Sequence, residues 1–256
     1  MKKNYSFILI LILLNLGLTT SVLSQSADLY SLTSTSSIFV SLDSTATRMA
    51  SIEADDALSA STPIGFTFSF EGYPYTSFKV SSNGFLSFGT GTASMSFNSS
   101  SPTSNMRPLL APLWDDLDGR APNTEASYQV TGTAPNRVFT FQWLNYEWNY
   151  GSSSDDISFQ VKLYETTNKI EFVYRDEAGS INSPSATIGI LGRTSYLTLS
   201  NSGSSPTKSS SSFTTNISTA PATGQIYKFS IPDICFEPNG TTVDSVSTTT
   251  ADISWF

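Results

Sequence analysis

From Ile64 onward, apolar side chains return at every second position in one short run after another. Ile64, Phe66, Phe68 and Phe70 alternate with Gly65, Thr67 and Ser69. That period places one face of a strand against a core and the other toward water. Phe78 and Val80 extend the pattern, and Phe139, Phe141 and Trp143 repeat it. Ile157, Phe159, Val161 and Leu163 then alternate with Ser158, Gln160 and Lys162, followed by Ile170, Phe172 and Tyr174. Leu86 and Phe88, Ile188 and Ile190, Leu197 and Leu199, and Tyr227, Phe229 and Ile231 complete the series. Asn83-Gly84 predicts a tight hairpin, because both residues tolerate positive φ. Residues 166–168 predict another turn. Pro112 predicts that the apolar run 109–114 lies at an edge or a bend, since proline cannot donate to a sheet ladder. Ile38-Phe39-Val40 predicts a lead-in strand. No window of a dozen residues after residue 24 carries a helical period. About ten short strands joined by turn-rich loops make an all-β chain, an antiparallel two-sheet β-sandwich.

Composition removes most chemistry. The 256 residues include no histidine and one cysteine, Cys235. Ser-His-Asp catalysis, Cys-His catalysis and His-ligated zinc are therefore excluded, as are an intrachain disulfide and a Cys-cluster metal site. Thirteen basic side chains against 21 acidic ones argue against nucleic acid or an anionic membrane as partner, since both select Lys and Arg. Hydrophobic residues reach 39% and aromatic residues 12%, so a packed core is expected despite a charged share of only 13%. Serine and threonine supply 77 residues, and the stretch 200–224 is rich in both. A loop that long inside a domain predicts a hidden weak strand or a mobile segment.

The chain falls into four parts. Lys2 and Lys3, an apolar run from Phe7 to Leu16 and the small-residue site at Val22-Leu23-Ser24 identify 1–24 as a secretory signal peptide. Its removal leaves 11 basic against 21 acidic side chains, a net charge of −10, and no second apolar run to hold the chain in a membrane. Residues 25–61 are a Ser/Thr-rich lead-in segment, and 62–231 hold the sandwich. At Ile231-Pro232-Asp233 the texture changes, and 232–256 are too few residues to bury a core of their own. They read as the opening of a further β module, with the chain ending inside it.

Three segments in order carry a family resemblance: FKVSSNGFLSFG (78–89), LAPLWDDLDG (110–119) and DISFQVKLYETTNKIEFVY (156–174). This series resembles the extracellular nidogen-type (NIDO) domain over about residues 62–231, with Thr187-Ile188-Gly189-Ile190 matching the strand that follows. It departs from the animal domains in lacking cysteines. Residues 232–256 resemble the first strands of a fibronectin type III domain, an immunoglobulin-like sandwich, in the rhythm of Val243, Val246, Ala251, Ile253 and Trp255. This pairing behind a signal peptide resembles large bacterial secreted and cell-surface proteins. It implies a non-catalytic adhesion or interaction module whose partner is an extracellular protein or glycan. The competing reading is an accessory carbohydrate-binding domain of a larger secreted hydrolase.

Two clusters stand out as candidate sites. Asp115, Asp116 and Asp118, with Gly119 permitting a sharp turn, offer hard oxygen ligands of the kind Ca²⁺ accepts. The same residues also suit a solvated turn whose carboxylates bond the local backbone. Tyr146, Trp148 and Tyr150 fall on one strand face in simple alternation and could stack on sugar rings. A β-bulge would instead turn them into the core. Glu147, Glu165 and Glu171 could in principle form a glycosidase pair, but the sequence forces no pairing among them.

Overall fold

The computed structural model describes residues 25–102, 105–151, 154–232, 242–246 and 251–254. Two seven-stranded antiparallel sheets pack face to face. The first runs in the order β1 (Ser31–Ser36), β14 (Gln225–Ser230), β10 (Ile170–Asp176), β9 (Ile157–Tyr164), β8 (Val138–Tyr146), β7 (Glu125–Thr131), β2 (Thr47–Arg48). The second runs β13 (Lys208–Ser209), β12 (Tyr196–Leu199), β11 (Thr187–Leu191), β6 (Leu109–Trp114), β5 (Phe85–Ser87), β4 (Tyr73–Ser81), β3 (Thr62–Phe70). A separate hairpin pairs β15 (Thr242–Val246) with β16 (Ala251–Ser254), placing Val243 opposite Ile253. The expected signal peptide and Cys235 lie outside the described residues.

The alternating side chains do what the period requires. Ile64, Phe68, Phe70, Phe78, Val80, Phe139, Phe141, Phe159, Val161, Phe172 and Phe229 fill one core between the sheets. Aromatic rings dominate it: Phe78 meets Phe139 edge-on at 4.7 Å, and Trp143 stacks on Phe159 at 4.8 Å. Their polar tips are bonded across the sandwich. Trp143 Nε1 donates to the Ser81 carbonyl at 2.9 Å, and the Tyr174 hydroxyl donates to the Pro112 carbonyl at 2.6 Å. Each such bond removes a desolvation cost of about 1–3 kcal/mol.

The predicted hairpin at Asn83-Gly84 forms, with Ser81 opposite Phe85. Gly84 has φ +75°, and a Cβ there would lie 1.9 Å from the Leu113 carbonyl oxygen. The position therefore requires glycine for both conformation and space.

Several expectations fail, each for a physical reason. Leu109–Trp114 is no edge: it lies inside the second sheet between β5 and β11. The ladder to β11 slips between Thr187 and Gly189, opposite Trp114 and Ala111, so Pro112 sits in an irregularity where no donor is needed. All six β6 residues are buried because the outer face of this strand is covered as well. Phe85, Met106, Leu109, Ala111, Trp114 and Leu191 form a second cluster there, beneath Leu58, Met95, Tyr196 and Phe213.

Residues 38–40 form no strand. Phe39 instead packs on Val173 and Ile226 on the outer face of the first sheet, while Ile38 and Val40 are exposed. The edge strand is the polar run Ser31–Ser36, which pairs with β14 through its main chain. Strand β7 carries only a fading alternation, from buried Ala126 to exposed Val130. The stretch 200–224 does hide a weak strand, the two-residue β13.

Candidate functional site

The C-terminal end of β6 runs into Asp115, Asp116 and Asp118, and the structure gives the three carboxylates different fates. Asp115 is buried and saturated. Its Oδ2 accepts from Trp148 Nε1 at 2.8 Å and from the Ser185 backbone N–H at 2.6 Å. Its Oδ1 accepts from the Ser185 hydroxyl and the Asp116 backbone N–H, each at 3.0 Å. Asp118, 1% exposed, accepts from Arg120 Nε, Nη2 and backbone N–H. The chain around it is stitched by backbone bonds to Glu147 in both directions and by Gly119 N–H to the Ala54 carbonyl.

Asp116 alone of the three turns toward other acids. Its carboxylate, with those of Asp55 and Asp56, forms a group whose oxygens lie within 4.8 Å of one another. Asp56 is held in place from a distance: Asn83 Nδ2 donates to its Oδ1 at 2.8 Å, and Asn83 Oδ1 accepts from the Leu117 backbone N–H at 2.9 Å. The buried Asn83 side chain thus ties the β4–β5 hairpin to both acidic loops.

Electrostatics follow from this crowding. Partial burial, then the charges of Asp56, Asp55, Asp115 and Asp118, push the Asp116 carboxyl up to about 6. Asp55 is also raised, by burial and by Asp118 and Asp56, with Arg120 at 3.4 Å opposing them. Glu147 is raised by burial first and Asp118 second. A proton, or a cation bound through oxygen, relieves the repulsion in either case. The residues that could hold Ca²⁺ are therefore Asp55, Asp56 and Asp116, whereas Asp115 and Asp118 are already committed to protein donors.

The aromatic row does not form. The β8–β9 ladder slips between Trp143 and Tyr146, with Asn145 at φ +55°, and this bulge rotates the following residues inward. Tyr146 is fully buried and donates to the Ile52 carbonyl at 2.8 Å. Trp148 is fully buried against Asp115, and Tyr150 alone is exposed, at 60%. The two clusters read from sequence are therefore one unit: the tryptophan expected on the surface is a buried donor to the aspartate expected to bind metal.

Two of the three candidate glutamates are tied up in pairs. Glu165 forms a two-point ion pair with Arg137, and Glu171 takes the Tyr164 hydroxyl at 2.7 Å and Lys228 at 3.3 Å. Glu147 lies just past β8, bridged to Asp118, and Glu171 lies on β10, with no contact between them among the described hydrogen bonds. None of these forms the facing pair a glycosidase uses.

The sequence model described as NIDO related matches residues 29–232. The chain belongs to the NIDO-related family. No curated protein sequence and no solved structure gives a match. The NIDO-related match takes in β1 through β14 and every carboxylate of the acidic corner. Domains of this type are extracellular and typically non-catalytic. Among the described residues, no helix is long and apolar enough to cross a membrane.

Sequence reasoning missed three members of this corner of the NIDO-related domain. Asp55 and Asp56 sit about 60 residues from Asp116 in a segment with no strand pattern, and Asn83 read only as a turn former. An adjacent acidic pair in a Ser-rich stretch was the one signal present, and nothing local joined it to 115–118.

Proposed function

We propose that this chain is the binding portion of a larger exported protein, an adhesion or interaction module that performs no chemical step. The leader is cut after Ser24, the NIDO-related sandwich follows, and a fibronectin type III-like module begins near Pro232. The observation that carries the reading is the use made of the polar side chains. Asp115, Asp118, Glu165 and Glu171 serve as hydrogen-bond acceptors or ion-pair partners rather than standing free in a cleft. A rigid two-sheet frame presenting shaped loops is the arrangement by which sandwich domains bind partners. The antiparallel β15–β16 hairpin is in keeping with a second module of sandwich type.

The test is to immobilise the purified protein on beads and challenge it with pectin, cellulose, chitin and gelatin. Soluble products are assayed in parallel. Saturable retention of at least one polymer, with no released sugar or peptide, is expected. Release of product in proportion to protein would overturn the reading.

A further inference from the structure

The end of the second sheet opposite the acidic corner carries a different chemistry. There the start of β4, the segment after β5, the segment before β6 and the β11–β12 turn enclose a cleft of about 390 Å³, lined by Tyr75, Phe88, Asn105, Arg107 and Arg193. That volume is near the lower bound of small-ligand sites, roughly 300–1,000 Å³.

The arginines distinguish this cleft. The mature chain has six. Arg48, Arg120, Arg137 and Arg175 are each paired with a carboxylate. Among the described residues, Arg107 and Arg193 form no ion pair, and both line this one cleft. Arg107 donates from Nη2 to the Ser195 carbonyl at 3.2 Å, while its buried Nε has no partner. Arg193 lies over the Tyr73 ring at 3.8 Å and donates from Nε to the Tyr75 hydroxyl at 3.4 Å, a long bond. Glu71, the nearby acid, acts on both guanidinium groups through its charge but forms no ion pair with either. Its two oxygens accept from the backbone N–H groups of Ala27 and Arg193.

The rest of the lining suits one kind of ligand. Tyr75 stacks on Phe88 at 4.8 Å and 22°, forming an aromatic wall. Asn105 and Thr90 are exposed at the rim, and the Asn105 amide and Thr90 hydroxyl make no hydrogen bond among the described residues. We propose that this cleft binds a uronic-acid residue of an acidic polysaccharide. Arg107 and Arg193 take the carboxylate, the Tyr75 ring packs on the C–H face of the sugar, and Asn105 and Thr90 bond its hydroxyls. A hexuronate presents all three features together; a peptide carboxylate matches the arginines alone. Two guanidinium groups against the single Glu71 carboxylate leave this place net positive on a domain of net charge −10, which steers an anion there.

This assignment rests on reading the domain as a binding module, and the experiment separates the two. Calorimetry on the full mature chain compares trigalacturonate, a neutral galactose trimer and a triglutamate peptide. Trigalacturonate is expected to bind, with affinity falling as salt rises, and the neutral trimer to bind at least tenfold more weakly. Arg193→Gln, at an exposed position, should reduce affinity about 10- to 100-fold, the usual worth of a charge-assisted hydrogen bond. Arg107→Gln should do the same, and an unchanged melting temperature shows that each variant is folded. Equal binding of the neutral trimer overturns the proposal, as does indifference to Arg193→Gln. Binding of triglutamate as strong as trigalacturonate, with the same arginine dependence, overturns the sugar assignment. If beads retain a polymer but trigalacturonate does not bind, the cleft assignment falls and the module reading stands.

Discussion

Replacing Asp116 with asparagine should stabilise this protein at neutral pH. The carboxyl is held at about 6 against an ordinary 3.8, by partial burial and by the charges of Asp55 and Asp56, which share the corner within 4.8 Å. An acid whose folded-state value lies above its unfolded one keeps its proton in the folded chain where the unfolded chain has lost it. Its contribution is therefore complete below pH 3.8 and is lost as pH rises through 6. At full effect that difference is about 3 kcal/mol. Asp116 is only partly buried, and solvent screening reduces the figure to about 1–2 kcal/mol at pH 7.5. Asparagine keeps the shape and removes the charge. In a domain of this size the gain corresponds to a melting temperature higher by about 3–6 °C.

The assay is thermal or urea unfolding of wild type and Asp116→Asn in EGTA at pH 4.5, 6 and 7.5. With no histidine in the chain, no other side chain of ordinary pKa titrates between pH 5.5 and 7.5. The advantage of the variant should be small at pH 4.5 and complete at pH 7.5. Millimolar calcium at pH 7.5 should narrow the gap, because a cation and a proton neutralise the same oxygens. A variant no more stable than wild type at pH 7.5, or an advantage equal at all three pH values, would refute the reasoning.

Other substitutions should separate the roles assigned to neighbouring residues. Asp118→Asn should destabilise, in contrast to Asp116→Asn, because it removes the charge paired with Arg120 and replaces the Oδ2 that accepts from its Nε and Nη2 with a donor; the same melts read the opposite sign. Trp148→Phe should cost about 2–4 kcal/mol, through lost volume and the donor withdrawn from Asp115, measurable by urea unfolding. Gly84→Ala should cost more than about 2 kcal/mol, since φ +75° and the Leu113 carbonyl both reject a Cβ; the soluble yield and urea midpoint report it. Asn83→Ala should cost about 1–2 kcal/mol and leave Leu117 N–H with the Asp115 carbonyl as its remaining acceptor.

Strands that alternate apolar with polar side chains were legible in the sequence, even where both faces are buried as in β9, and strands apolar on both faces were not. Ile157 to Leu163 alternates cleanly and forms β9. Leu109–Trp114 is buried on both sides, and its continuous apolar run gives no period to read. Pro112 pointed to an edge or a bend, and it sits at a ladder irregularity in the sheet interior. Polar edge strands such as Ser31–Ser36 escape notice for the complementary reason. Their place is set by main-chain pairing, and their side chains carry no pattern.

Sites were less legible than strands because they are made of side chains whose partners lie far away in sequence. Asp115 and Trp148 each looked functional alone, yet the bulge at Asn145 turns them toward each other and closes both. The acidic corner is completed by Asp55, Asp56 and Asn83, and the arginine cleft by residues from Tyr73 to Arg193. What distinguishes Arg107 and Arg193 from the other four arginines is the absence of an ion pair with a carboxylate among the described residues, and no sequence window displays that. The same six residues of β6 connect the two places, with Arg107 just before the strand and Asp115 just after it. A strand of that length separates them by about 20 Å, so opposite charges face opposite ends of the sandwich. An anionic ligand is therefore attracted to one end and repelled from the other. Neutralising Asp116 should leave trigalacturonate affinity unchanged, whereas Arg193→Gln should lower it without changing the pH profile of stability.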